Sequence, residues 1–202
     1  MRTIGRTGII TISIVAALVL LGGSCVSTYN KLVRLDQAAK AQWAQVENTY
    51  QRRADLVPNL VETVKGAAAF ERETFTAVTQ ARSRVGQVAA APDLTTSPEA
   101  FGEYQQAQEA LGGALSRLLV VAEAYPNLTA TQAFRDLQAQ LEGTENRITV
   151  ERMRYNEAAR EFDTARASFP TSIVAAVFGS RFAEKQYFTA KAGSDVAPEV
   201  KF

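Results

Sequence analysis

Histidine is absent from the 202 residues of this chain. That removes the commonest general base, the commonest metal ligand and the usual side chain that changes charge near neutral pH. It also excludes the Glu-x-x-His di-iron constellation that some helical bundles carry. Cysteine occurs once, at Cys25. An intrachain disulfide and Cys₄ or Cys₂His₂ zinc are excluded, and a thiol nucleophile would have no imidazole beside it. With 12 glycines and 6 prolines the chain has too few breakers for a disordered polymer. A net charge of +1 leaves no strong field to recruit nucleic acid or an acidic partner. No stretch alternates polar and apolar residues at period two, so strands are not expected. None of the recurring catalytic motifs is found. No cofactor, metal or nucleic acid is expected.

The apolar content, 47% of residues, is arranged in two ways. The first is a run without charge. Arg2 and Arg6 precede "TGIITISIVAALVLLGGSCVSTYN", and the next charge is Lys31. As a helix, Ile9–Val26 would reach about 27 Å, close to the ~30 Å hydrocarbon core of a bilayer. Basic residues ahead of the run favour a cytoplasmic N-terminus, with the body on the extracytoplasmic, periplasmic side. Two readings of this anchor stand. One is an uncleaved transmembrane helix. The other is a lipoprotein signal ending in "LGGSC", with lipid on Cys25. A cleaved secretory signal is the weaker third, because no clear A-x-A site is present. An inert cysteine at the end of a membrane helix is the plain reading of Cys25.

The second arrangement is an apolar seam at roughly 3.5-residue spacing through three long segments, which indicates left-handed packing of long helices. The first segment carries Leu32, Leu35, Ala39, Trp43, Val46, Tyr50, Arg53, Val57, Leu60, Val64 and Ala67, and its phase continues to Val78, Ala81, Val85 and Val88. The second runs from Phe101 through Tyr104, Gln108, Leu111, Leu115 and Leu118 to Tyr125. The third runs from Phe134 through Leu141, Ile148, Tyr155 and Phe162 to Phe169. Gly86–Pro98 reads as a loop, and Ser97 with Pro98 as a helix start. Pro126 and Asn127 close the second helix, and Thr129 with Gln132 has capping-box spacing for the third. Pro170 ends the third, and Thr171–Gly179 reads as a short closing helix. Pro58 allows two topologies. A hairpin there would give four matched helices. A single helix kinked at Pro58 is favoured, because "QRRADLV" lacks turn residues and the seam keeps its phase.

Several blocks point to a family. They are "QWAQVENTYQRRADLVPNLVETVKG" (Gln42–Gly66), "SRLLVVAEAYPNL" (Ser116–Leu128), "FRDLQAQLEGTENRI" (Phe134–Ile148), "RYNEAAREF" (Arg154–Phe162) and "FP" (Phe169–Pro170). In this order they resemble the signature of the LemA family of membrane-anchored helical proteins, over roughly residues 28–190. The resemblance implies an all-α, antiparallel up-and-down helical bundle behind an N-terminal membrane anchor. It has three long helices and a short fourth, or four if the first breaks at Pro58. It also implies a bacterial envelope or organelle-membrane component without demonstrated catalysis. The matched motif residues are Trp43, Glu47, Asn48, Arg52, Asp55, Pro58 and Asn59 in the first block. Glu123, Glu142, Glu145, Asn146, Arg147, Tyr155 and Asn156 are those in the later blocks.

Polar residues fall on the seam itself. Arg53, Thr144 and Glu151 occupy core positions, with Glu145 and Arg152 one step off. A lone buried charge costs several kcal/mol, so these groups should be paired or reach the edge. They form a register-setting polar layer, a recognition site for a partner or small solute, or, least favoured, an acid–base pair. Phe178, Phe182, Tyr187 and Phe188 either cap the bundle or dock a partner. The expected organisation is an anchor or lipoprotein signal (1–27), a bundle (28–182) and an irregular C-terminal tail (183–202). Three functions follow. The leading one is a non-catalytic scaffold or adaptor working through helix contacts, the next a solute- or peptide-sensing module, the last an enzyme of unrecognised type. Membrane lipid is an expected partner. A first helix of about sixty residues would outrun its partners by tens of Å, so self-association or another envelope protein is expected along residues 30–57.

Overall fold

The computed structural model describes residues 6–65 and 72–189. They form α1 (Arg6–Lys65), α2 (Arg72–Val88), α3 (Pro98–Glu123), α4 (Pro126–Thr129), α5 (Gln132–Ala167), α6 (Thr171–Phe178) and a 3₁₀ turn (Gly179–Phe182), with no strand among the described residues. Two compact units are present, one of residues 1–41 with 158–184, the other of 42–157 with 185–202. α1 and α5 contribute residues to both.

The second unit is an up-down-up-down bundle. Lys65 lies over the Phe75 ring and Arg82 reaches the Ala54 carbonyl, so α2 runs antiparallel to α1. Trp43 meets Phe101 while Arg53 meets Gln108, so α3 runs parallel to α1. Trp43 meets Tyr155 while Arg53 meets Glu145, so α5 runs antiparallel. The core gathers Leu56, Val57, Leu60, Val61 and Val64 of α1 against Val78 and Val85 of α2, Leu111, Leu115 and Leu118 of α3, and Phe134 and Leu141 of α5. Each fully buried side chain of this size contributes about 1.5–3 kcal/mol. α3 starts where Ser97 Oγ accepts the Ala100 N–H, with Pro98 at its first position. At α5 the cap is Thr131, whose Oγ1 accepts the Phe134 N–H, rather than the expected Thr129. The turn α4 has shifted the start by two residues.

The favoured reading at Pro58 holds, since α1 passes it and reaches Lys65. The continuation to Val88 is corrected: α2 is a separate helix from Arg72, antiparallel to α1. The seam kept its phase because α2 has its own apolar stripe, Val78 and Val85, at compatible spacing. Ala67, assigned to the seam, lies outside the described residues. The apolar positions expected to be open for a second chain are largely closed within this one. Leu32, Trp43 and Val46 are buried and Leu35 is half-buried, so little of the apolar surface expected along residues 30–57 is open.

Pro58 also explains an interhelix contact. A proline has no N–H, so the carbonyl four residues earlier, Ala54, loses its helical donor. Arg82 Nε of α2 donates to that oxygen at 3.1 Å. The bond missing from α1 is thereby replaced by one that ties α2 to it.

In the first unit, residues 10–27 of α1 are exposed throughout, and packing begins at Thr28 and Tyr29. Leu32 of α1, Phe162 of α5, Val174 and Ala175 of α6, and Phe182 form the core, with Tyr29, Val33 and Leu35 against it. Arg166 Nε donates to the Phe182 carbonyl at 2.7 Å. Gly179 ends α6 with φ of +48°, a conformation that side chains disfavour.

The Arg82 contact is open to a double-mutant cycle. Arg82→Ala should cost about 1 kcal/mol in the native background. The cost should shrink in Pro58→Ala, where residue 58 supplies its own N–H to Ala54. Equal costs in both backgrounds, read from denaturant unfolding, would show that the contact does not compensate the proline.

Candidate functional site

α1 brings Trp43, Val46, Tyr50, Arg53 and Val57 to the centre of the second unit, one helical turn apart. Around Trp43 lie Phe101 at 5.9 Å, Tyr104 at 5.7 Å, Tyr155 at 5.1 Å and Phe188 at 5.8 Å between ring centroids. The Phe188 ring stacks nearly parallel to the indole, 15° from coplanar. It arrives on the extended segment after the 3₁₀ turn. Asn156 holds it there from α5: its Nδ2 donates to the Phe188 carbonyl at 2.8 Å, and its Oδ1 accepts the Phe188 N–H at 2.9 Å. A single amide thus mimics one rung of a strand pairing. Gln186 N–H donates to the Thr95 carbonyl at 2.9 Å and extends the attachment. Residues 190–202 lie outside the described residues.

One turn on is a polar layer. Arg53, its side chain only 4% exposed, pairs with the half-exposed Glu145 at 2.8 Å. Its Nη2 donates to the Gln108 backbone carbonyl at 2.9 Å and also to Gln108 Oε1. Arg152 Nε donates to Tyr50 Oη at 2.6 Å. The same guanidinium sits over the Tyr50 ring at 5.6 Å and the Phe188 ring at 4.7 Å. Burial pushes the Tyr50 phenol above its usual 10.0, although Arg152 and Arg53 pull it down. Burial, then the neighbouring Tyr50, pushes Tyr104 above 10.0 as well. Both phenols stay neutral across the physiological range. Thr144, also on the seam, returns its hydroxyl proton to the Gln140 carbonyl at 2.7 Å. Glu151 pairs with Arg154 at 3.0 Å.

The remaining motif residues lie mostly on the surface. Glu47, Asn48, Arg52, Asp55, Pro58, Asn59, Glu123, Glu142, Asn146 and Arg147 are exposed. Glu47 and Asn48 border a groove of about 650 Å³ that has Tyr50, Tyr104 and Gln108 on its floor and Arg82 on its rim. Asn48, Arg52 and Arg147 border another, of about 370 Å³, with Glu151. Within the bundle, Gln108 Nε2 and Glu151 Oε2 are buried with no hydrogen-bond partner among the described residues. No group of three or more Cys, Asp or Glu is gathered as metal ligands would be, among the described residues. Cys25 is exposed on α1.

Sequence reasoning singled out Arg53, Glu145, Arg152, Tyr155 and Asn156. It passed over Gln108, Tyr50 and Tyr104 as ordinary seam positions. The signal for Gln108 was present: an amide at a core position, like Arg53 and Thr144. Phe188 was among the tail aromatics expected to cap the bundle or dock a partner, and it packs on the bundle; its hold by Asn156, 32 residues away in sequence, had no local signal.

Two measurements test this centre. Trp43→Ala should destabilise the fold by about 3–5 kcal/mol, with denaturant midpoints as the readout; less than about 0.5 kcal/mol would mean an unpacked indole. The phenols set an alkaline limit. Their folded-state pKa values lie above 10.0, so the native state holds protons that the unfolded state releases. Their stabilisation is complete below pH 10 and is lost as pH climbs beyond it. Thermal melts between pH 8 and 11.5 should therefore fall more steeply for the native chain than for the Tyr50→Phe/Tyr104→Phe variant. Parallel profiles would refute this assignment.

The profile of the LemA family matches residues 42–202, beginning at the first residue of the signature block. Among curated proteins, magnetosome proteins MamQ 2 and MamQ 1 of Paramagnetospirillum magneticum are each 24% identical, over 96% of this chain and 77% of the relative. Magnetosome protein MamQ of Magnetospirillum gryphiswaldense is 25% identical over 85% of this chain and 70% of the relative. With four fifths of its length matched, the chain belongs to the LemA family.

Proposed function

We propose that this protein is a non-catalytic scaffold or adaptor of the cell envelope, tethered by its N-terminus, with its bundle on the extracytoplasmic side. The observation that carries this reading is α1. It is one helix, long and apolar enough near its N-terminus to cross a membrane. Its residues 10–27 have no protein against them, whereas from Thr28 onward one face is packed. A helix that is apolar all round in its first part needs a lipid solvent there. Arg2 and Arg6 ahead of the span support the outward orientation. An uncleaved anchor is favoured because the helix runs unbroken from Arg6 through Cys25 into the bundle. The non-catalytic reading is supported by the interior: Arg53, Tyr50 and Arg152 are engaged with one another's neighbours, and their aromatic surroundings hold them still. The related magnetosome proteins support a place in a membrane-linked assembly.

A second reading is favoured by one observation. The groove lined by Tyr50, Tyr104 and Gln108 is a recess beside the polar layer, which suits a small polar solute. A thermal-shift screen of such solutes separates the readings: stabilisation of the native chain that vanishes in Gln108→Leu would favour sensing over scaffolding.

The anchored reading is tested on the full-length chain. It should fractionate with membranes at its unprocessed mass. A diacyl or triacyl mass at Cys25 would replace the membrane helix by a lipid anchor. With Cys25→Ser and a new cysteine at the exposed Met153, an impermeant thiol reagent should label intact spheroplasts. Labelling only after lysis would place the body in the cytoplasm. Proximity labelling from the membrane-bound protein should return a reproducible set of envelope proteins; background labelling alone would reject the adaptor role.

A further inference from the structure

We propose that α6 and the turn before it form a membrane-interface element, whose outer face lies in the headgroup and upper acyl region of the same bilayer that α1 crosses. The proposal rests on the reading of residues 9–26 as a membrane span.

The chain from Ser168 to Ser180 contains no charge. α6 buries Val174 and Ala175 against Leu32 and Phe162. Its other side is equally apolar but bare: Ile173 is 57% exposed, Val177 75% and Phe178 47%, and Phe169 in the preceding turn is 82% exposed. Ile173 and Val177 are four residues apart and share one face. A helix that is apolar all round calls for a covering on both sides. Within the protein, among the described residues, only one side has it.

Position identifies the occupant. The Tyr29 ring contacts Phe178 at 4.8 Å and Phe182 at 5.6 Å. Tyr29 lies three residues past Val26, about 4.5 Å along the helix axis. α5 approaches from the opposite direction. Phe162 packs at the level of Leu32, and the five residues from Phe162 to Ala167 advance about 7.5 Å, back to the level of Ser27. Phe169 therefore stands beside the end of the span. Interfacial helices bury their apolar face about 5–10 Å into the headgroup and acyl boundary, the depth at which this face lies. Tyr29 takes the place that interfacial aromatics occupy at the end of a span. Arg181 lies over the Tyr29 ring at 5.6 Å, a cationic side chain at the edge of the patch, and Lys31 and Arg34 are exposed on α1 in the turns that follow the span. Continuity with the span selects lipid over a second protein surface.

The test uses the full-length chain with Cys25→Ser and one new cysteine carrying an environment-sensitive fluorophore, in vesicles of phosphatidylethanolamine and phosphatidylglycerol. The sites are Ile173, Val177, Leu18 in the span and Met153 as the aqueous control. Lipids bearing a nitroxide high on the acyl chain should quench the labels at 173 and 177 several-fold more than the one at 153, and iodide should do the reverse. Quenching of 18 by lipid with 173 and 177 behaving like 153 would overturn the proposal and leave the span intact. If 18 also escapes lipid quenching, the span reading fails and takes the proposal with it. In nanodiscs with one copy each, retained shielding at 173 and 177 supports lipid. Shielding lost on that dilution would assign the face to a second copy and overturn it.

Discussion

A guanidinium in a hydrocarbon interior must find partners, and that demand from Arg53 sets the relation of three helices. The partners come from α3, through the Gln108 carbonyl and side chain, and from α5, through Glu145. A shift of either helix by one turn, about 5.4 Å, would leave the charge without them. Removing a partner would leave a buried charge uncompensated, which is costly, although the half-exposed Glu145 is partly screened by water. With that register, Arg152 reaches the Tyr50 hydroxyl and Tyr155 reaches Trp43. The groove left over the stacked rings is the one that Phe188 fills.

Phe188 shows how a segment without regular structure becomes part of a core. Its backbone groups have no helix to satisfy them, and burial without partners would be costly. Asn156 supplies both a donor and an acceptor at 2.8 and 2.9 Å, so the ring can stack on Trp43 without stranding its own peptide. Arg152 then covers the ring's other side. The motif residues of α5 thus act one after another: Glu145 on a charge, Tyr155 on an indole, Asn156 on a peptide.

α1 meets two solvents. Its first turns are apolar on every side and its later turns on one side only, and the change falls at Thr28 and Tyr29 with no spacer between. On the anchored reading proposed above, the elements packed at Tyr29 lie beside the bilayer, which would supply the covering that the outer face of α6 lacks among the described residues.

The helical class, the apolar N-terminal helix, the Ser97 start, the end of α5 shortly before Pro170 and the closing helix were legible in local spacing, because each is decided by neighbours within about four residues along the chain. So was the presence of Arg53, Thr144 and Glu151 on the buried stripe, since periodicity records which side of a helix avoids water. It does not record what covers that side. The tertiary structure alone decided that α1 reaches Lys65 and α2 is a separate helix from Arg72, that Arg82 serves the carbonyl orphaned by Pro58, that Gln108 and Glu145 share Arg53, and that Asn156 holds Phe188 against Trp43. Those contacts join residues 28 to 92 positions apart. Their energy depends on packing the helices together, which no local pattern encodes.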